Sequence, residues 1–249
     1  MTKISAIYRH ACPNCGGPID DYRLRQGLPC SKCLPDPPSK ASREQIYRML
    51  VRNGHLSREY EVLHKQWRLS KKFELFFEKA VGSKPWGAQR TWSRRLARRD
   101  SFSIIAPTGV GKTTFGLVYS IFLACRRHGK SYVILPTTPL VVQALKKLGN
   151  IMDSANCKVR VAYYHSKMKK SEKEEMLKSI ERGDFDVLLT TVAFARSKLD
   201  LIEGKNFRLV FVDDVDAVLK SGKSISTILR IVGFPIEVQE RGLELYYTR

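Results

Sequence analysis

The stretch Ser101–Phe115, SFSIIAPTGVGKTTF, decides the fold. Phe102–Ala106 is a short apolar run rich in β-branched residues, which predicts a strand buried on both faces. The run breaks at Pro107, passes through Thr108, Gly109, Val110 and Gly111, and meets Lys112, Thr113 and Thr114 before an apolar helical pattern begins. Glycines let the backbone curl so that successive N–H groups converge on a phosphate at a helix N-terminus. On that reading Lys112 reaches the β- and γ-phosphates of a nucleotide, and the Thr113 hydroxyl holds Mg²⁺. Ala106 stands at the first glycine position of the usual GxxxxGK[ST] spelling, and a small residue there still permits the turn. The alternative is an ordinary glycine-rich turn between a strand and a helix.

At 249 residues the chain has room for one large domain and a small appendage. Its formal charge of +20 favours a polyanionic partner, because neutralising phosphates releases condensed counterions. No apolar run approaches the roughly 18–20 residues that span a bilayer, so no membrane association is expected. The opening MTKISAIYRHACPNC lacks an apolar signal core, and the expected location is cytoplasmic.

Cys12-Pro-Asn-Cys15 is followed, after fourteen intervening residues, by Cys30-Ser-Lys-Cys33. Two such pairs supply four thiolates at the corners of a tetrahedron, which predicts Zn²⁺ on Cys12, Cys15, Cys30 and Cys33 in a zinc ribbon. Two disulfides or four free thiols are the alternatives. The loop of the ribbon carries Arg23, Arg25 and Lys32, so nucleic-acid contact and a purely structural metal both remain open. Cys125 and Cys157 read as ordinary core or half-buried residues. The proline-rich Leu34–Ser39 is a linker. After it, Ser42 and Gln45 form a candidate capping box, Asn53-Gly54-His55 breaks the helix, and Ser57 caps the next. The pattern Trp67–Ala80 puts Phe73, Phe76 and Phe77 on a buried helix face, while His55 and His64 have no evident ligand partner.

Lys84–Arg99, KPWGAQRTWSRRLARR, combines Trp86 and Trp92 with Arg90, Arg94, Arg95, Arg98 and Arg99 just ahead of the phosphate loop. An arginine run on a helix is usually a solvated face; its place here raises the odds of contact with nucleic acid or nucleotide. Gln89 carries one amide donor and one acceptor, which match the N6 and N7 edge of adenine. Beyond the loop, strands at Ser131–Leu135, Val159–Tyr164, Val187–Thr191 and Leu209–Val212 alternate with helices at Leu140–Leu148 and Ser171–Arg182. That alternation predicts βαβ units and a mainly parallel sheet with its site at the strand C-termini. Pro136–Pro139 and Thr190-Thr191 fall at those ends and are candidate contacts for a nucleic-acid backbone, or plain turns and caps.

Leu209–Ala217, LVFVDDVDA, is an apolar strand that delivers an acidic pair. Opposite a phosphate loop, one carboxylate holds Mg²⁺ through its water shell and its neighbour polarises the attacking water. Asp213 is assigned to the metal and Asp214 to the water; a strand ending in an acidic turn is the alternative.

In order, Gln89, APTGVGKTT, PTTPL, TTVAFA and VDDVDA resemble the adenine-reading glutamine and motifs I, Ia, Ib and II of a superfamily 2 helicase core. Motif II usually has glutamate where Asp214 stands. The DDVD spelling, behind a four-cysteine ribbon and a PWGAQRTW segment, is similar to the reverse gyrase family. The resemblance runs from Cys12 to Asp216 and implies ATP, Mg²⁺ and Zn²⁺ as cofactors and DNA as partner. It also implies a motif III, a second RecA-like lobe bearing an arginine finger and a type IA topoisomerase domain, which together introduce positive supercoils. Phe234–Arg249 matches none of these, and Tyr246 and Tyr247 lack the context of a strand-cleaving site. The chain therefore reads as a fragment, a truncated gene product or one subunit of a split enzyme. On its own it is expected to bind ATP and DNA, to hydrolyse slowly or not at all, and to leave supercoiling unchanged.

The expected architecture is an α/β protein: zinc ribbon over 1–38, helical connector over 39–83 and first RecA-like P-loop lobe over 84–249. Three rivals stand beside it. A stand-alone zinc module would bind nucleic acid without turnover, and an ordinary superfamily 2 helicase lobe would lack the ribbon and DDVD. A P-loop kinase would need a lid and an acceptor site.

Overall fold

The structure is a computed structural model that describes residues 6–218 and 221–248. Residues 1–5, with which the expected ribbon begins, and Arg249, with which the expected lobe ends, lie outside the described residues. The chain forms two compact units: residues up to Lys72 with Arg90–Phe102, and Phe73–Gln89 with Ser103 onward.

In the first unit, β1 (Ile7–Tyr8) pairs antiparallel with β2 (Ile19–Asp20), and α1 (Asp21–Arg25) follows with the Asp20 carboxylate as its N-cap. Leu34–Ser39 is irregular, as its prolines dictate, although Leu34 itself is fully buried. α2 (Arg43–Arg52) begins at the expected capping box: Ser42 Oγ accepts from Gln45 N–H at 3.2 Å, and Gln45 Oε1 accepts from Ser42 N–H at 2.8 Å. Ser57 Oγ accepts from Tyr60 N–H and opens α3 (Arg58–Val81), a single helix that absorbs the Trp67–Ala80 pattern. Ile46, Leu50 and Tyr60 form one core with Ile19, Leu28, Leu34 and three of the ribbon cysteines. α4 (Gly87–Ala97) and α3 each contribute residues to both units.

The second unit runs α5 (Lys112–Cys125), β3 (Lys130–Leu135), α6 (Thr138–Ala155), β4 (Val161–Tyr164), α7 (Lys170–Arg182), β5 (Val187–Thr191), α8 (Val192–Ser197), α9 (Leu199–Ile202), β6 (Phe207–Val212), α10 (Val215–Val218), α11 (Gly222–Ile231) and α12 (Ile236–Tyr247). The sheet order is β4-β5-β3-β6 and every pairing is parallel, with Ser131 beside both Val187 and Leu209. This is the parallel α/β arrangement of βαβ units that the strand–helix alternation predicts. β3 and the first four residues of β5, in the middle of the sheet, are almost wholly buried, whereas all six residues of β6 are half-buried. Phe73, Phe76, Phe115, Tyr119 and Phe122 form an aromatic cluster around α5. Among the described residues no helix is long and apolar enough to cross a membrane.

Two expectations are corrected. Phe102–Ala106 is not a strand, and Ile105 is 98% exposed. Its β-branched composition supplies strand propensity, but a strand also needs a neighbour for its N–H and C=O groups, and no described strand pairs with it. Cys125 and Cys157 are half-buried as expected, but they are not ordinary packing residues: they form a disulfide from the end of α5 to the turn after α6, with Cα atoms 6.1 Å apart.

Candidate nucleotide site and metal centre

Between the irregular segment and α5, Gly109 and Gly111 both take the left-handed conformation, at φ 81° and 83°. A side chain at either position would be strained, so glycine is what lets the loop curl. Gly111 is the N-cap of α5 and makes no side-chain cap, which leaves the first-turn N–H groups of the helix without a side-chain acceptor from that residue. The Lys112 ammonium donates to the carbonyls of Ala106 at 2.6 Å and Pro107 at 3.0 Å. A ligand phosphate at this loop competes with those two carbonyls for the same ammonium protons.

Thr113 Oγ1 donates to Asp213 Oδ2 at 2.5 Å, a contact between residues a hundred positions apart. Asp213 is held by its own N–H, which donates to Ile134 O at 3.0 Å and so continues the β3–β6 ladder beyond the last strand residue. Adjacent oxygens in an octahedral Mg²⁺ shell lie about 2.9 Å apart, given metal–oxygen distances near 2.0–2.1 Å. The hydroxyl and carboxylate are thus close enough to face one Mg²⁺, the carboxylate through the ion's water shell. Asp214 is exposed and left-handed at φ 51°, a conformation aspartate tolerates better than most residues. Its carbonyl accepts from Ala217 N–H, and this turn starts α10.

Gln89 is only 5% exposed. Its Oε1 accepts from Trp86 N–H at 3.3 Å, and its Nε2 lies 3.1 Å from where a side-chain carbon on Gly111 would sit. The amide is thus packed directly on the phosphate loop. Beside it opens a cleft of about 560 Å³ whose walls include Phe77, Val81, Trp86, Val110 and Thr114. Sequence reasoning took Phe77 for core alone and passed over Val81. Their i, i+4 spacing on α3, one helix turn ahead of the loop segment, was the available signal.

The four cysteine sulfurs all lie within 4.8 Å of one another. Cys15 Sγ and Cys30 Sγ are 3.7 Å apart, close to the roughly 3.8 Å edge of a tetrahedron with Zn–S bonds near 2.3 Å. Cys30 N–H donates to Cys12 Sγ and Gly17 N–H to Cys15 Sγ, as backbone amides do around metal thiolates. Burial raises the Cys12 thiol, but the N–H donors of Cys15, Cys30 and Asn14 outweigh it and hold the group down at about 7. Burial pushes Cys33 up to about 12. The donor set fits zinc. Asn14, inside the first knuckle, donates to His55 O at 2.8 Å and accepts from Ser57 N–H at 3.0 Å, which fastens the knuckle to the turn between α2 and α3. His55 Nδ1 bonds Cys33 O, and His64 is buried against Glu44 and stacked on Tyr47, so each histidine has a protein partner.

Other candidate contacts fare unevenly. Arg23 is committed to the ribbon's own loop: its guanidinium donates to Pro29 O and Leu34 O. Arg25 pairs with Asp21, while Lys32 is exposed. Thr190 is fully buried with its hydroxyl bonded to Tyr132 Oη, so it faces the core and not a ligand. Thr191 caps α8, and Thr137 is the N-cap residue of α6. On α4, Trp92 is buried and Arg90, Arg94 and Arg95 are exposed; Arg95 lies over the Phe102 ring.

Residues 87–241 match the DEAD/DEAH box helicase family, and residues 3–45 match the reverse gyrase zinc finger. The chain is 52% identical to reverse gyrase 1 of Aeropyrum pernix over 96% of its own length and 18% of that protein's. It is 43% identical to the reverse gyrase of Thermococcus kodakarensis, covering 97% of this chain and 14% of that one. With reverse gyrase 1 of Aquifex aeolicus the identity is 39%, over 97% and 20%. The chain therefore spans a fifth or less of the length of these relatives.

Proposed function

We propose, for a chain that belongs to the DEAD/DEAH box helicase family and is similar along nearly all its length to reverse gyrases, that it is a DNA-responsive ATP-binding and hydrolysing module. The observation that carries this reading is the Thr113–Asp213 contact. It joins the start of the phosphate-loop helix to the end of an acidic strand, which is where a phosphate-bound Mg²⁺ needs its two protein oxygens. In this reading Lys112 leaves its two loop carbonyls for the β- and γ-phosphates, and the N–H groups from Thr108 to Thr114 line the phosphate chain; Pro107 has no N–H to give. Thr113 and Asp213 would hold Mg²⁺, which would offset the phosphate charge when bound, and Asp214 orients the attacking water. Gln89 reads the adenine edge, with Trp86, Phe77 and Val81 as the apolar wall of the base cleft. Zn²⁺ on Cys12, Cys15, Cys30 and Cys33 holds the ribbon together and is structural, because all four positions are protein thiolates.

DNA is the proposed polyanion, held by exposed arginines of α4 through phosphate contacts. The topoisomerase activity of the relatives, their second RecA-like lobe and a cytoplasmic location are carried over as part of the same proposal. So is the division into ribbon, connector and lobe. Turnover by this chain alone is expected to be slow, because the resemblance puts an arginine finger in that second lobe. The test is ATP binding and DNA-stimulated hydrolysis, with Lys112→Ala as the control. Tight binding that the control loses, with turnover rising on addition of a second lobe, supports the proposal. No nucleotide binding overturns it and leaves a basic zinc-containing DNA module.

A further inference from the structure

Gly116 sits in the interior of α5, where glycine costs about 1 kcal/mol relative to alanine. Its φ is ordinary, so backbone freedom is not the reason for it. The reason is proximity: a carbon added at Gly116 would lie 2.5, 2.6 and 2.7 Å from Cε1, Cδ1 and Cζ of Phe211. Carbon atoms pack at about 3.5–4.0 Å, so the ring occupies the space of the missing side chain.

The partners fall in register with the proposed metal site. Thr113 and Gly116 are three residues apart on α5 and share a face. Phe211 and Asp213 are two residues apart along β6 and its extension and share the other. Thr113–Asp213 and Gly116–Phe211 are thus successive rungs between the same helix and the same strand. We infer that Gly116 and Phe211 are positioning residues: the ring seated on the bare helix backbone sets how far α5 stands from β6, and so the separation of Thr113 Oγ1 from Asp213 Oδ2, the two groups that face the proposed Mg²⁺. Mg²⁺ keeps several waters and holds them in near-ideal octahedral geometry, so the ion and its shell tolerate little error in that spacing. This inference rests on reading the site as one for MgATP.

The test compares nucleotide affinity with Mg²⁺ and with EDTA, by calorimetry, for the full chain and its variants. Gly116→Ala should lose about tenfold to a hundredfold of the affinity that Mg²⁺ adds, on the scale of an ångström's misplacement, and keep its metal-free affinity. Phe211→Leu, which withdraws the spacer without adding a clash, should lose part of the same gain. The double variant should lie nearer the wild type than Gly116→Ala does, because the added methyl enters the space the ring leaves. The inference is overturned if either single variant keeps the full Mg²⁺ gain, or loses affinity equally with and without metal. Should Gly116→Ala fail to fold, Phe211→Leu alone decides by the same criterion. If the wild type itself gains nothing from Mg²⁺, the reading of the site fails before the positioning pair is tested.

Discussion

At the scale of single residues, the site separates groups fixed by the backbone from groups that must move. Asp213 is tied into the sheet through its own N–H, and Thr113 into the first turn of α5, so their encounter is built before any ligand arrives. Asp213→Asn should therefore abolish the Mg²⁺-dependent part of ATP affinity and leave the fold intact, as calorimetry with and without metal will show. Lys112 and Gln89 are bound to their own loop region, and their proposed nucleotide roles require that both be recruited. For Gln89 the expected outcome is a change in selectivity. A bidentate amide–adenine pair discriminates by about 1–3 kcal/mol, so Gln89→Ala should narrow the preference for ATP over GTP by about tenfold in competition binding.

At the scale of elements, covalent and ionic ties hold the sheet's connections. The Cys125–Cys157 disulfide closes a loop of 32 residues. Chain-entropy reasoning gives such a closure roughly 3–4 kcal/mol, so reduction or Cys125→Ser should lower the melting temperature, measured by calorimetry with and without reductant. Asp186, just ahead of β5, accepts from Arg160 N–H at 3.0 Å and from its guanidinium at 3.0 and 3.3 Å. Burial raises its carboxyl, but the Arg160 hydrogen bonds prevail and hold it below the usual 3.8. A carboxyl depressed on folding stabilises the native state above its unfolded value, and that contribution disappears as pH falls through the depressed one. Thermal melts between pH 2 and 5 should show a steeper acid loss for wild type than for Asp186→Asn.

At the scale of the whole molecule, the +20 charge calls for a polyanion, and the exposed arginines of α4 are a concentrated source of it. Each phosphate contact removed should lower the slope of log affinity against log salt by about 0.7–0.9. Arg90→Ala with Arg94→Ala should thus flatten the salt dependence of DNA binding by up to roughly twice that, measured by fluorescence anisotropy across a salt series. Zinc acts on a different part of the chain. Chelation removes the anchor that three buried cysteines give to the core of Ile46, Leu50 and Tyr60. Loss of helical signal from that unit, with ATP affinity retained, is the expected outcome.

Much of this was legible in the chain itself, because the signals are local. Two CxxC pairs, GVGKTT, a capping box at Ser42 and apolar runs of strand length each state their geometry within a few residues. The sequence by itself determined the parallel α/β order, the zinc-type cysteine cluster and the glycine loop that opens α5. The tertiary structure decided whatever depends on a neighbour distant in sequence. Phe102–Ala106 has strand composition and, among the described residues, no strand beside it, Thr190 turns its hydroxyl to Tyr132, and Arg23 is consumed by the ribbon's own carbonyls. Cys125 finds Cys157, and Gly116 is glycine because Phe211 lies against it. Periodicity and propensity are properties of short windows, while hydrogen-bond satisfaction and close packing are set by whichever groups the fold brings into contact.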